Sequence, residues 1–180
     1  STEYGFRLIE IPKHILENIS ISSTNIREAI LHSDIATADS LLGYEFFFSG
    51  QVVHGDKLGR QLGYPTANLK VLNETSTDSL AILNEEKITP GNGIYAVYAE
   101  LPDVDEYVNS PLLKPHSRLK GMMSIGFRPT VDGKKRVIEV NIFNFNEDIY
   151  DQMLKVYVKK YLRAEIKFDG LEALIKQIDQ

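Results

Sequence analysis

Val137 to Phe145 reads V-I-E-V-N-I-F-N-F, and its alternation is the clearest structural signal in the chain. Ile138, Val140 and Ile142 take one face of an extended segment; Glu139, Asn141 and Phe143 take the other. The same pattern recurs on both sides. Downstream, Leu154, Val156 and Val158 alternate with Lys155, Tyr157 and Lys159. Upstream, Lys120 to Phe127 is strand-like and runs through Gly126-Phe127-Arg128-Pro129-Thr130 into a turn at Asp132-Gly133. Lys134, Lys135 and Arg136 beside that turn predict a solvated hairpin tip. Gly93 to Glu100 sets Tyr95 and Val97 against Ile94 and Ala96. Tyr44 to Val53 sets Phe46 and Phe48 against Phe47. Near the C-terminus, Asp169 and Glu172 form a capping box before the apolar stripe Leu171, Leu174, Ile175 and Ile178. Many strands followed by one helix predict a mainly β, closed antiparallel barrel with the helix packed on it.

The first 43 residues read differently. Phe6 to Ile11 is a short strand-like run. Ser and Thr residues then offer N-caps for a helix from about Asn25, with Ile26, Ile30 and Leu31 on one stripe. A second helix, about Ile35 to Leu42, ends at Gly43. This is a small helical appendage, and a chain opening on Ser1 without Met suggests a portion of something longer.

Composition narrows the function classes. The chain has 180 residues, 43% hydrophobic and 25% charged, the make-up of an ordinary soluble globule. A net charge of −5 disfavours a general nucleic-acid or membrane-surface role. No apolar run approaches membrane-spanning length. The absence of cysteine excludes disulfides, thiolate catalysis and Cys-based zinc sites, and fits a reducing compartment such as the cytoplasm.

Between the first strand and the rest lies Gly50 to Asn68, G-Q-V-V-H-G-D-K-L-G-R-Q-L-G-Y-P-T-A-N. Gly55, Gly59 and Gly63 recur every fourth residue, with Lys57 and Arg60 among them. Glycine lets a backbone turn tightly and approach a ligand closely, and successive bare N–H groups can cradle an anion. Pro65 pushes Tyr64 toward an extended conformation, and in an extended segment Thr66 and Asn68 share a face. A hydroxyl beside an amide carbonyl offers the hard oxygens that Mg²⁺ accepts. The stretch therefore reads as a phosphate-and-metal loop. A plain surface hairpin with Thr and Asn bonding their own backbone fits the same residues. It matches neither the P-loop pattern nor the dinucleotide fingerprint.

Glu139 is the carboxylate of interest, on the polar face of its strand. It could take a proton from a substrate hydroxyl, or it could be a solvated strand residue. His14, His32, His54 and His116 show no ligand spacing and receive no role. Long polar connections are expected at residues 73–92 and 101–118.

Taken together, these blocks resemble a known family. G-Q-V-V-H-G-D-K-L-G-R-Q-L-G-Y-P-T-A-N, G-I-Y-A-V, S-I-G-F-R-P-T, I-E-V-N-I-F-N-F-N-E-D-I-Y and L-R-A-E-I-K-F-D-G-L-E-A-L-I-K-Q-I closely resemble, in order and spacing, the riboflavin kinase module. Upstream, I-S-S-T-N-I-R and A-D-S-L-L-G resemble the tail of the FMN adenylyltransferase module that precedes the kinase in bacterial bifunctional FAD synthetases. The resemblance implies residues 1–43 as the end of that first module and 44–180 as the kinase domain. It implies a six-stranded Greek-key barrel and the reaction of ATP with riboflavin to give ADP and FMN. By the same resemblance Glu139 is the catalytic base. Thr66 and Asn68 contact Mg²⁺ and the ATP phosphates, and Gly55 and Arg60 belong to the phosphate-side loop. Asn144 and Tyr150 fall near the nucleotide; Arg163, Ile166 and Phe168 border the flavin. The conversion of FMN to FAD is not expected from this chain, which lacks the H-x-G-H motif and so leaves Ser22, Thr24 and Arg27 orphaned. One departure stands out: the family's I-Y-G reads Ile149-Tyr150-Asp151 here. If that position needs positive φ, Asp tolerates it less well than Gly. That departure and the long connections motivate a second reading, a flavin- or nucleotide-binding regulatory module without turnover. A purely structural globule is a third.

Overall fold

The computed structural model describes residues 15–16, 19–55, 64–71, 88–101, 117–130 and 133–166. The expected strand at 6–11 and the terminal helix from Asp169 lie outside the described residues, as does most of the two long connections. Two short strands, β1 (Ile15–Leu16) and β2 (Ile19–Ser20), pair with each other. Helices α1 (Ser23–Leu31) and α2 (Ile35–Leu42) follow. Six strands come next: β3 (Phe47–Val53), β4 (Ala67–Val71), β5 (Gly93–Glu100), β6 (Leu119–Thr130), β7 (Gly133–Ile142) and β8 (Met153–Arg163). They close into a barrel in the order β3-β4-β7-β6-β5-β8, every pairing antiparallel. Strands β5, β6 and β7 are sequential neighbours, and β8 returns to lie beside β5. The order β8-β5-β6-β7 is that of a Greek key.

Alternation builds the core. Phe48 and Val52 of β3, Tyr95, Val97 and Ala99 of β5, and Met123 and Ile125 of β6 all point inward and are buried. So are Ile138, Val140 and Ile142 of β7, and Leu154, Val156 and Val158 of β8. Each Val, Leu, Ile, Phe or Met among them contributes about 1.5–3 kcal/mol when taken fully out of water. Two register shifts in the β5–β8 pairing, between Ile94 and Tyr95 and between Ala96 and Val97, bend the long β8 around the barrel.

The helical appendage caps the barrel end at which β5 begins. Ser22 Oγ accepts from the backbone N–H of Asn25 at 3.2 Å and starts α1. Asp34 does the same for α2 through Thr37 N–H, and Gly43 ends it at φ 76°. Ile30 is buried and Ile26 packs against the core, but Leu31, expected on the same stripe, is 54% exposed. One residue further turns the side chain by about 100°, past the edge of the buried face. Asp39 Oδ1 accepts from Phe46 N–H at 2.7 Å, tying α2 to the entry of β3.

Tyr95 makes the second tie. Its hydroxyl donates to Gly91 O at 2.6 Å, so the 2.6 Å bond to Ser33 Oγ uses the serine proton. Burial pushes the phenol upward from its ordinary value, partly countered by Ser33. Replacing Tyr95 by Phe strands both partners and is expected to cost about 1–3 kcal/mol in chemical denaturation. An unchanged midpoint would show that the helices are held by apolar packing alone.

Lys135 and Arg136 are exposed, as a solvated tip predicts, but Arg136 is also tied down. Strand β7 already begins at Gly133, paired to Thr130, so Arg136 lies within the ladder. Its guanidinium donates to Thr89 Oγ1 at 2.5 Å, to Pro90 O and to Asn92 Oδ1. It fastens the entry to β5 onto the barrel rim.

Candidate active site

Register brings the chemistry together. Asn68 of β4 lies directly opposite Glu139 of β7, and Glu139 directly opposite Ser124 of β6. Val53 of β3 pairs with Asn68 on the other side. Directly opposed residues of an antiparallel pair share a face, with Cβ atoms about 4.5–5.5 Å apart. Leu69, Ile138 and Val140 point into the core, so Asn68 and Glu139 stand together on the outer wall. The row continues through Ile94, which pairs with both Ser124 and Arg163.

Beside this row, where β3 ends, β4 begins and β7 ends, lies a cavity of about 310 Å³. Gly55, Thr66, Asn68 and Tyr150 all line it. Asn141 Nδ2 donates to Pro65 O at 2.7 Å and so fixes the approach to Thr66. The far wall is the loop after β7, which is stitched to β3: Val52 N–H donates to Gln152 O and Asp151 N–H to Val52 O, each at 2.9 Å. Asp151 adopts φ 64°, the left-handed conformation in which glycine is at ease. The substitution is thus accommodated without loss of these ties. Asp151→Gly is expected to raise stability by up to about 1 kcal/mol, and Asp151→Val to lower it, because a β-branched side chain resists positive φ. Denaturation midpoints in the reverse order would count against the strain argument.

Gly55 makes a close approach to Asn68. A Cβ there would fall 2.3 Å from Asn68 Nδ2. The Asn68 amide is thus packed against the bare backbone of the glycine loop. His54, which received no role from spacing, stacks on Tyr150 with ring centroids 3.9 Å apart at 34°.

The cavity's charge is informative. Glu147 and Asp148 line it, and no Lys or Arg does so among the described residues. Asp148 Oδ1 accepts from Tyr150 N–H at 3.1 Å, which orders the loop. A polyphosphate entering here needs positive charge from elsewhere. Lys57 and Arg60 lie outside the described residues. The Thr66 hydroxyl and Asn68 amide, with carboxylates nearby, form a hard-oxygen donor set that fits a small divalent cation. No cluster of three or more acidic or His ligands occurs among the described residues.

On the outer wall, Glu139 Oε1 accepts from Arg128 Nη2 at 2.6 Å, and the carboxylate side chain is 20% exposed. Arg163 Nη1 donates to Ala164 O at 3.2 Å, and Ile166 is 51% exposed. Glu165 lies over the barrel beside Gly126 and approaches Ser124 Oγ at 3.5 Å. Asn144 sits at φ 56° in the turn after β7, solvent-exposed, and does not line the cavity. Its neighbour Asn146 does. Arg60 and Phe168 lie outside the described residues. Arg128, Ser124, Asn146, Glu147 and Asp148 were not singled out from sequence. Parity along β6 was available for the first two, but their facing partner depends on register.

A family model described as riboflavin kinase matches residues 42–180. The chain is 35% identical to a bifunctional riboflavin kinase/FMN adenylyltransferase of Buchnera aphidicola, covering 99% of this chain and 50% of that protein. It is 33% identical to the protein of the same description in Haemophilus influenzae, covering 100% and 50%. A solved Streptococcus pneumoniae structure, described as a macrolide-efflux protein, superposes with TM-score 0.74 at 35% identity, over 94% of this chain and 47% of that one. The chain spans about half the length of the curated relatives it matches. No helix among the described residues is long and apolar enough to cross a membrane.

Proposed function

The chain belongs to the riboflavin kinase family, and from that premise we propose that it transfers the γ-phosphate of ATP to the 5′-hydroxyl of riboflavin, giving FMN and ADP. One observation carries the reading: Asn68, which lines the cavity, is the direct cross-strand partner of Glu139. Phosphoryl transfer asks the protein mainly for positioning and charge neutralisation. The cavity holds the polyphosphate, with Gly55 offering bare backbone and Thr66 and Asn68 their side-chain oxygens. The ribityl chain lies along the outer wall with its terminal hydroxyl at Glu139. The hydroxyl oxygen attacks the γ-phosphorus, the bond to the β–γ bridging oxygen breaks, and Glu139 takes the hydroxyl proton. Thr66 and Asn68 would hold Mg²⁺, which would supply the positive charge that the lining lacks. Tyr150, with His54 stacked on it, presents an aromatic surface to the nucleotide. Arg163 and Ile166 border the flavin ring.

Residues 1–43 are the end of an adenylyltransferase module on this reading, and residues 44–180 are the kinase domain. The whole protein would then also convert FMN to FAD in the cytoplasm. Incubating the chain with riboflavin, ATP and Mg²⁺ should produce FMN and ADP in equal amounts, read by chromatography. Flavin binding without ADP release, under any divalent metal, would leave a binding module instead.

A further inference from the structure

We propose that Arg128 is a positioning residue for the phosphoryl transfer: it holds one carboxylate oxygen of Glu139 so that the other faces the substrate hydroxyl. The inference rests on Glu139 being the base. Arg128 lies on β6 with its Cα opposite Lys135, four residues beyond Ser124, the Cα partner of Glu139. Even spacing keeps Arg128 and Ser124 on the same outer face, so the arginine side chain folds back along the wall to reach the glutamate. The contact, Nη2 to Oε1 at 2.6 Å, is short even for a charge-assisted hydrogen bond. Among the described residues Oε1 is the carboxylate oxygen with a hydrogen-bond partner.

Two physical needs are met at once. A glutamate on an open strand face samples several rotamers, and a base must sit within hydrogen-bond reach of the proton it takes. Anchoring Oε1 fixes the side chain and presents Oε2. A bare carboxylate beside the cavity would also repel an arriving triphosphate, and the guanidinium offsets that repulsion. An ion pair that merely staples β6 to β7 would make the same contact, so the test must separate the two roles.

The measurement is steady-state FMN formation by the full chain for Arg128→Met, Arg128→Lys, Glu139→Gln and the double variant Arg128→Met/Glu139→Gln. Arg128→Met should lower kcat by about 10–100-fold, the scale of a misplaced catalytic group. The KM values for riboflavin and ATP and the thermal midpoint should stay near those of the parent chain. Arg128→Lys should recover part of the loss. In the Glu139→Gln background, Arg128→Met should cost nothing further, because a residue that acts through another has no effect once that other is gone. An unchanged kcat in Arg128→Met, a loss that multiplies in the double variant, or a loss confined to the KM for ATP would each overturn the proposal. If Glu139→Gln alone keeps full turnover, the base assignment fails and this inference goes with it. If Glu139→Gln loses turnover while Arg128→Met does not, only the positioning role falls.

Discussion

Changing Glu139 to Gln is expected to lower kcat for FMN formation by about 10²–10⁴-fold, the usual contribution of a positioned general base, while MgATP still raises the thermal midpoint. The amide has nearly the carboxylate's size and keeps an acceptor oxygen for Arg128, so the wall is left standing. What it loses is the ability to take a proton. The fold has little stake in the change, because the side chain is on the outer face and the core neighbours Ile138 and Val140 are untouched. Nucleotide binding should survive, since Thr66, Asn68 and Gly55 line the cavity and Glu139 does not. A ligand that binds only the folded state stabilises it by mass action, so a retained MgATP shift reports binding independently of turnover. A rate within about threefold of the parent chain would remove Glu139 as the base and leave the hydroxyl proton to solvent or phosphate.

Much of the barrel is legible in the sequence because its strands are half-buried and alternate cleanly. Ile138, Val140 and Ile142, or Leu154, Val156 and Val158, declare their inner face without any neighbour. The β6–β7 hairpin is less readable where it leaves the core. Lys134, Lys135 and Arg136 carry no apolar alternation, so only the ladder itself shows them as strand. Arg136 finds its acceptors in residues 89–92, more than forty positions away, and no local pattern encodes that. The helical stripe failed at Leu31 for a related reason. An isolated short helix shows which residues neighbour one another, not how wide a face its partner covers.

The site divides the same way. Parity predicts that Glu139 faces away from Ile138, and that Thr66 and Asn68 share a face. It does not say that Asn68 and Glu139 are opposite one another, because a two-residue slip preserves every face and moves every neighbour. That pairing is a property of β4 lying beside β7, a non-sequential contact of the Greek key. Arg128 was invisible as a partner for the same reason. Positive φ at Asp151 entered the sequence reading only as a condition, and the ties of the loop to Val52 that hold it there were not legible.

Gly55→Ala should also separate activity from stability. Gly55 is not among the residues with positive φ, so alanine brings no backbone strain there. Alanine should even gain slightly by restricting the unfolded chain. The cost is steric and local. The new methyl would stand 2.3, 2.6 and 2.9 Å from Nδ2, Cγ and Oδ1 of Asn68, closer than side chains tolerate. Those atoms are the end of a side chain, while the Asn68 backbone is held between Val53 and Glu139. The amide therefore rotates away and the strand stays. Turnover should fall by about 10–100-fold, with a weakened thermal shift on adding MgATP, because the displaced amide no longer faces the phosphates. The unliganded midpoint should change by less than about 1 kcal/mol in equivalent stability. Asn68→Ala, which deletes the same amide without adding a methyl, should reproduce the kinetic loss. Unaltered kinetics in both variants would mean that the cavity binds its phosphates without Asn68. A loss in Gly55→Ala alone would place the requirement in the bare backbone of the loop and not in the amide.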